Sequence, residues 1–266
     1  MKAIIQVSAL CICFGQILTA AQPGPLVIVG GGGTPMEVRQ QFVKLSGGKT
    51  ACIAVLPQAS AREGRGESSV KMFSDLGAKV FIVELKNPKT ARENLDGATA
   101  IWFPGGSQAA LYEALKKAGL VKYLQERHAR GLPFGGTSAG AAVMSAVMIP
   151  RMPEKPALRT GNTPTTTGLG LVPGLIIDQH FVARRRLNRL LSAVIDHPKK
   201  IGVGIGEATA IIVHGQRFAV MGQNSVIVID PRTAKLSLPA KGKLQSASGL
   251  KMHVLKAGQE FHFGVR

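Results

Sequence analysis

The sequence predicts an α/β protein in three layers, with a predominantly parallel central sheet covered by helices on both faces. Short apolar runs rich in β-branched residues alternate along the chain with segments of helical length. The 32 glycines cluster at the ends of the apolar runs, where tight turns join strands to helices. Apolar residues make up 45% of the chain and charged residues 18%, a composition typical of a globular protein rather than a disordered one.

The amino-terminal half supplies five of the predicted strands. The first is Leu26-Val27-Ile28-Val29, a β-branched run that ends in four glycines. Apolar runs predict the next strands over residues 51–56, 79–85, 98–103 and 132–135. Amphipathic segments predict helices between them, over residues 35–45, 69–76, 90–95, 109–118 and 121–129, and one after Ser138 that runs to about residue 146. This alternation favours right-handed crossovers between parallel strands.

The carboxyl-terminal half continues the pattern after an interruption. A Pro/Thr-rich stretch over residues 150–167 predicts a long exposed loop, either a mobile lid or an insertion. Predicted strands at 175–177 and 201–205 flank a basic helix at 185–195, and short apolar runs then predict hairpin strands at 210–213, 218–221 and 225–229. We expect residues 22–231 to form one α/β domain and the lysine-rich residues 232–266 to form a small β-rich extension.

The glycine run from Gly30 to Gly33 lies where dinucleotide-binding proteins carry a phosphate-binding turn. It lacks the G-x-G-x-x-G spacing, and the acidic residue expected further along is missing. We therefore interpret the run as a close backbone turn and expect no cofactor. No histidines and carboxylates cluster at ligand spacing, so no metal is expected either.

Residues 1–21 have the pattern of a secretory signal peptide. A lysine at position 2 precedes an apolar stretch from Ala3 to Leu18, and small residues follow it. The alternatives are a membrane anchor and a buried first strand, but the stretch is shorter than the ~20 residues of a spanning helix. We expect a secreted or periplasmic protein without stable membrane insertion. Cleavage near Ala21 would leave Cys52 as the single cysteine, so no disulfide within the mature chain is expected.

The formal net charge is +18, from 33 Lys and Arg against 15 Asp and Glu. Such an excess favours an anionic polymer or surface as partner, and simple solubility is the alternative interpretation. The basic residues are scattered, and one Trp with two Tyr offers few stacking platforms for single-stranded nucleic acid. We expect no nucleic-acid partner.

The stretch around Ser138 is the most informative for chemistry. Gly136-Thr137-Ser138-Ala139-Gly140 joins a predicted strand to a predicted helix, with glycine two residues before and two after the serine. Small flanking residues accommodate the strained turn that presents a nucleophilic serine, and the following helix directs free N–H groups towards it. The alternative is a tight packing turn without catalytic meaning.

A nucleophilic serine needs a base and a carboxylate that orients the base. Among the six histidines, His180 alone follows the end of a predicted buried strand, where the active sites of parallel sheets gather. Two carboxylates are candidates for the acid. Asp178 lies two residues from His180, which makes contact with the imidazole awkward, whereas Glu207 follows another strand and is favoured. The order Ser, His, Glu differs from that of the α/β-hydrolases.

These residues resemble cyanophycinase, a serine exopeptidase related to peptidase E on a class I glutamine-amidotransferase-like fold. The resemblance covers nearly all of residues 25–230 and is carried by the serine turn, by Gly105-Gly106-Ser107-Gln108, and by Asp178-Gln179-His180-Phe181 with Arg184, Arg186 and Arg189. It implies that Ser138 is the nucleophile, His180 the base and Glu207 the orienting acid. It also implies a substrate pocket lined by Gln108, Asp178, Gln179, Arg184, Arg186 and Arg189.

Cyanophycin is a poly-aspartate with arginine on each β-carboxyl, and the resemblance implies its hydrolysis to β-Asp-Arg dipeptides. Arginines suit carboxylates, while Asp178 is expected to receive a substrate guanidinium. The backbone N–H groups of Ala139, Gly105 and Gly106 are expected to form the oxyanion hole. Arg184 is expected to precede the helix, because it and Arg186 would otherwise point to opposite sides.

This sequence departs from the family pattern at two positions. Gly206 precedes Glu207 where the family often has Asp, and Ser107 precedes Gln108 where an acidic or amide residue is common. Either change could alter specificity. The alternatives to a cyanophycinase are a related peptidase for other aspartyl or isoaspartyl peptides and a catalytically silent exported protein that binds an anionic polymer. The oligomeric state stays open, with a homodimer as one possibility.

Overall fold

A computed structural model describes residues 22–237 and 239–264 of the 266-residue chain. The segment predicted to be a signal peptide, residues 1–21, therefore lies outside the described residues. Within the described ranges, no helix combines the length and the apolar character needed to cross a membrane.

Strands and helices alternate over the first half of the described chain, as predicted. The strands are β1 (Leu26–Val29), β2 (Cys52–Val55), β3 (Lys79–Ile82), β4 (Ala100–Phe103) and β5 (Phe134–Thr137). The helices are α1 (Met36–Leu45), α2 (Glu67–Ser74), α3 (Pro88–Asp96), α4 (Gln108–Lys117), α5 (Val121–Ala129) and α6 (Ala139–Ala142), with a 3-10 turn at Gly48–Thr50.

The second half is richer in strands. Before its single long helix α7 (Leu187–Asp196) come β6 (Val147–Met148), β7 (Thr166–Thr167) and β8 (Leu175–Asp178). After α7 come β9 (Ile201–Ile205), β10 (Thr209–His214), β11 (Arg217–Gly222), β12 (Val226–Asp230), β13 (Lys235–Ser237), β14 (Ser246–Ser248), β15 (Lys251–Leu255) and β16 (Glu260–His262).

The central sheet has eight strands in the order β16-β11-β10-β1-β5-β4-β2-β3. The five strands from the first half are parallel to one another, and β10, β11 and β16 extend the sheet in antiparallel fashion. The predicted α/β fold with a mainly parallel central sheet is therefore confirmed. The last strand of the chain, β16, pairs with β11 at the edge of this sheet.

A second sheet, not anticipated from the sequence, contains β8 and β9, the strands predicted at 175–177 and 201–205. Its order is β15-β12-β9-β8, with β8 parallel to β9. Alternating apolar runs predict strands but not their pairing, because pairing depends on contacts between distant segments. The carboxyl ends of β8 and β9 nonetheless lie beside the carboxyl ends of β1 and β5, since the His180 N–H donates to the Gly30 carbonyl at 2.7 Å.

Both faces of the central sheet are buried, because successive side chains point to opposite faces and β1 and β4 are buried at every position. On one face Trp102 of β4 contacts Phe42 and Phe73, with ring centroids 5.1 and 4.9 Å away. Gly135 in β5 makes room for this cluster, because a Cβ there would lie 2.5 Å from the Trp102 ring. On the other face Phe103 packs on Phe134 at 5.9 Å.

Candidate active site

Ser138 lies at the junction of β5 and α6 in a strained conformation. Its φ of 54° and ψ of −112° are unusual for a residue with a side chain. The flanking glycines are required by close backbone contacts. A Cβ on Gly136 would lie 2.6 Å from the Gly140 carbonyl oxygen, and one on Gly140 would lie 1.9 Å from the Phe103 carbonyl oxygen. The predicted strand–serine–helix turn is therefore present, although α6 ends at Ala142 rather than near residue 146.

His180 connects Ser138 to Glu207. The imidazole Nε2 lies 3.0 Å from Ser138 Oγ, and Nδ1 lies 2.5 Å from Glu207 Oε1. Donation of the Nδ1 proton to the carboxylate leaves Nε2 as acceptor for the serine hydroxyl. His180 is 8% exposed, so the imidazole is largely shielded from water. The structure thus brings together the serine, the histidine and the favoured carboxylate of the sequence analysis, while Asp178 makes no contact with the imidazole among the hydrogen bonds of the described residues.

The glycine run after β1 supports both the histidine and the glutamate. The carbonyl of Gly30 accepts the His180 N–H, and the carbonyl of Gly31 accepts the Ala208 N–H at 2.8 Å. A Cβ on Gly31 would lie 2.4 Å from the His180 ring, and one on Gly32 would lie 2.5 Å from Glu207 Cβ. The predicted close backbone turn is therefore present. Its contacts with the histidine and the glutamate are site features that sequence reasoning missed, although a run of four glycines was the available signal.

Asp178 belongs to a buried ion pair, and its contact with a substrate guanidinium stays a prediction. Its side chain is 1% exposed, and both carboxylate oxygens accept from Arg189, with the Nε to Oδ2 distance at 2.7 Å. Oδ1 also accepts the Gln179 N–H at 2.9 Å. A buried carboxylate needs such partners to offset the hydration it loses. Its role in the fold is to hold the arginines of the next segment.

Arg186 extends the same cluster towards the serine. Its Nη1 donates to the carbonyl oxygen and to the side-chain Oε1 of Gln179, at 2.8 Å each, and Gln179 Oε1 lies 3.5 Å from Ser138 Oγ. Burial, reinforced by the nearby charge of Arg189, lowers the pKa of Arg186 to about 10, which leaves it charged at neutral pH. The cluster therefore carries two guanidinium groups against one carboxylate.

The remaining predicted pocket residues differ in how exposed their side chains are to solvent. Arg184 is exposed and lies before α7, as expected, in a turn where its N–H donates to the His180 carbonyl at 2.9 Å. Gln108 is buried at the start of α4 and donates to the Ile149 carbonyl at 2.6 Å. Arg186 and Arg189 are also buried, at 6% and 4% exposure, rather than lining an open pocket.

The expected oxyanion-hole residues flank the serine. A Cβ built on Gly105 would lie 3.5 Å from Ser138 Cβ, so this backbone passes directly beside the hydroxyl. Ala139 is the first residue of α6, and the first N–H groups of a helix have no partner within the helix. Gly106 lies against the loop between β2 and α2, where a Cβ on Gly106 would lie 2.1 Å from the Ala59 carbonyl oxygen.

The two departures from the family pattern have local explanations. Ser107 is the N-cap of α4, because its Oγ accepts the Ala110 N–H at 3.3 Å. Gly206 packs against the neighbouring turn, and a Cβ there would lie 2.9 Å from both Asn224 Cβ and the Ser225 carbonyl oxygen. An aspartate at position 206 therefore needs a shift of that turn.

No group of three or more histidine, cysteine, aspartate or glutamate side chains is arranged to hold a metal ion within residues 22–237 and 239–264. The site itself brings together the serine, the histidine, the glutamate and the backbone N–H groups around them. This arrangement suits acyl transfer, in which a serine attacks a carbonyl carbon and an imidazole carries the proton.

Comparisons with known proteins identify the family of this chain. The sequence model described as Peptidase family S51 matches residues 26–221. A cyanophycinase from Geminocystis herdmanii is 34% identical over 230 residues, covering 83% of this chain and 84% of that protein. A cyanophycinase from Trichormus variabilis is 32% identical over 243 residues, covering 86% and 81%. The solved structure of a peptidase from an acI-B1 actinobacterium shares the fold, with a TM-score of 0.67 at 22% identity over 92% of this chain and 98% of that one.

The family match spans β1 to β11 and includes the serine turn, the histidine and the glutamate. It confirms the resemblance stated from the sequence motifs. The chain therefore belongs to Peptidase family S51 and is a serine-type peptidase.

Proposed function

We propose that this protein is a secreted or periplasmic serine exopeptidase that hydrolyses cyanophycin to β-Asp-Arg dipeptides through a Ser138-His180-Glu207 triad. The observation that carries the chemistry is the continuous hydrogen-bonded path from Ser138 Oγ through the imidazole to Glu207 Oε1, at 3.0 and 2.5 Å. The substrate is inferred from relatives called cyanophycinase at 32–34% identity over most of the chain. Export is inferred from the signal-like pattern of residues 1–21.

The proposed reaction begins when Ser138 Oγ attacks the α-carbonyl carbon of an aspartyl residue. His180 Nε2 takes the hydroxyl proton as the Oγ–C bond forms, and Glu207 stabilises the resulting imidazolium. The N–H groups of Ala139 and of the Gly105-Gly106 turn stabilise the oxyanion. The imidazolium then gives its proton to the departing amine, the C–N bond breaks, and an acyl-enzyme remains. Water, deprotonated by His180, hydrolyses this ester and regenerates the serine.

Charge around the site supports a substrate with carboxylates. The buried cluster of Arg186, Arg189 and Asp178 carries a net positive charge, and the exposed Arg184 adds to it. Each arginine of cyanophycin is joined through its amino group, so it keeps a free carboxylate that suits such a cluster.

The decisive test is incubation of the purified protein with cyanophycin, followed by detection of β-Asp-Arg. Ser138→Ala is expected to reduce release by at least ~10³-fold. Ser74→Ala removes an exposed hydroxyl on α2 and is the matched control, expected to leave the rate unchanged. Fluorophosphonate labelling that persists in Ser138→Ala would argue against the nucleophile.

The same assay separates the two other candidates. Turnover of simple Asp-X dipeptides with cyanophycin left intact would favour a peptidase for other aspartyl peptides. Affinity for acidic polymers without hydrolysis of either substrate would favour a binding protein.

A further inference from the structure

Arg189 directs the one guanidinium nitrogen that is not paired with Asp178 towards a weak acceptor. Two of its guanidinium nitrogens pair with Asp178, while Nη1 donates to the thioether of Met152 at 2.9 Å. Thioether sulfur is a weak hydrogen-bond acceptor compared with a carboxylate. Arg189 is 4% exposed, whereas Met152 is 53% exposed, so the methionine lies between the guanidinium and solvent.

We propose that Met152 is a replaceable cap over Arg189 and thereby determines how readily a substrate carboxylate reaches this guanidinium. The proposal rests on the proposed function, because it assigns the displacing group to the substrate. In the free enzyme the thioether satisfies Nη1 weakly and keeps the cluster dry. In the complex a carboxylate oxygen takes its place, and the methionine moves aside.

The segment that carries Met152 has the freedom such a movement needs. It lies between β6 and β7 and is anchored on one side where Gln108 donates to the Ile149 carbonyl at 2.6 Å. On the other side the Thr160 N–H donates to the Lys243 carbonyl at 3.0 Å. Between these anchors, residues 150–157 make no backbone–backbone hydrogen bond to any described residue. The segment can therefore shift without breaking a strand or helix ladder.

The electrostatics of the cluster explain why an anion displaces the cap. Two guanidinium groups share one carboxylate, and the Nε of the buried Arg186 has no hydrogen-bond partner within the described residues. Excess buried positive charge is costly until a counter-ion approaches. A carboxylate supplies that charge along with a stronger acceptor than sulfur, whereas a neutral ligand supplies neither. The cap therefore favours substrates that present a carboxylate at this position.

A first experiment tests the contact without any substrate. Hydrogen peroxide transfers one oxygen atom to a methionine sulfur, giving the sulfoxide and water, and the sulfur lone pair is the attacking group. Met152 and Met252 are both 53% exposed, and Met252 lies on β15 in the second sheet. We expect peptide mapping to show Met152 oxidised several-fold more slowly than Met252, because Arg189 engages its sulfur. Equal or faster oxidation of Met152 would overturn the cap.

The same mapping then follows displacement in the Ser138→Ala variant. β-Asp-Arg dipeptide is expected to raise the oxidation rate of Met152 towards that of Met252, since the carboxylate frees the sulfur. Dipeptide that binds, as measured by calorimetry, without changing the rate at Met152 would overturn the displacement. Failure of the wild-type enzyme to hydrolyse cyanophycin would instead contradict the proposed function, and the substrate-free comparison would still decide the contact.

Kinetics provide the second experiment. Met152→Leu keeps apolar volume without an acceptor and is expected to lower KM about threefold, whereas Met152→Gln offers a stronger acceptor and is expected to raise KM about threefold. In both variants kcat and the rate of fluorophosphonate labelling at Ser138 are expected to stay within about twofold. Met252→Gln, equally exposed and remote, is the matched control and should change neither constant. A change in kcat with KM unaltered would overturn the proposal.

Discussion

Replacing Gly31 by alanine is expected to lower the turnover of this peptidase about 100-fold while leaving it folded. The reason is steric. A Cβ at position 31 would lie 2.4 Å from both Cε1 and Nε2 of His180, whereas carbon atoms in ordinary contact are about 3.5–4.0 Å apart. The imidazole must therefore move by roughly 1 Å, away from its 3.0 Å contact with Ser138 Oγ. A displacement of ~1 Å at a reacting group costs on the order of 10²-fold in rate.

Gly33 provides the matched control for this substitution. It has a φ of 102°, close to the 91° of Gly31, so alanine at either position meets similar backbone strain, about 1–2 kcal/mol. A Cβ on Gly33 meets no atom within 4 Å, so Gly33→Ala adds strain without a clash. Gly32→Ala is also expected to lower turnover, because its Cβ would lie 2.5 Å from Glu207 Cβ, which is fixed to the backbone and cannot rotate away.

The assay compares kcat, fluorophosphonate labelling rate and melting temperature for the three variants. We expect similar melting temperatures for Gly31→Ala and Gly33→Ala, with labelling slowed about 100-fold in the first and less than threefold in the second. Wild-type labelling in Gly31→Ala would refute the argument that this glycine positions the base. Equal losses in both variants would show that backbone strain alone matters.

Three further predictions concern the acid, pH and packing. Glu207→Gln is expected to lower kcat about 10³–10⁴-fold with little change in melting temperature, because an amide cannot stabilise the imidazolium. Burial lowers the pKa of His128, so the folded protein resists protonation there. Its stability should be fully present above about pH 6.5 and fall as the pH drops below it, and His128→Gln should show a smaller drop in melting temperature between pH 7.5 and 5.5. Gly140→Ala should cost about 3 kcal/mol or more in urea unfolding, because its Cβ would lie 1.9 Å from the Phe103 carbonyl, whereas Gly97→Ala, in open contact, should not.

Much of the fold could be predicted from the sequence because its signals are local. The strands β1 to β5 overlap the apolar runs that predicted them, and α5 spans the residues predicted. Boundaries were less accurate. The segment after Ser138 reads as a helix to about residue 146, yet α6 ends at Ala142, where the chain turns so that Val143 accepts the Leu169 N–H at 2.7 Å. Such a contact between distant segments leaves no periodic pattern.

In the candidate site, too, features encoded locally could be predicted, whereas contacts between distant segments could not. Ser138 was identified from the glycine spacing of its turn, since that strain is encoded within five residues. The buried pairing of Asp178 was not anticipated, because its position after a strand says nothing of the two arginines that surround it. Met152 gave no signal at all in a Pro-rich loop, and its contact with Arg189 is visible only in three dimensions.

By itself, the sequence determined the strained serine turn, the alternation of strands with helices and the glycine run, because propensity, periodicity and backbone freedom act over a few residues. Only the tertiary structure decided which strands form the second sheet and that Asp178 is buried with the arginines, and it places the favoured Glu207 against the histidine. Those outcomes depend on packing between segments far apart in the chain, where the cost of an unpaired buried charge or a misplaced Cβ selects one arrangement. The glycines after β1 combine a feature set by the sequence with one set by the tertiary structure. Their presence is local, while the histidine and glutamate that require them approach only when the two sheets come together.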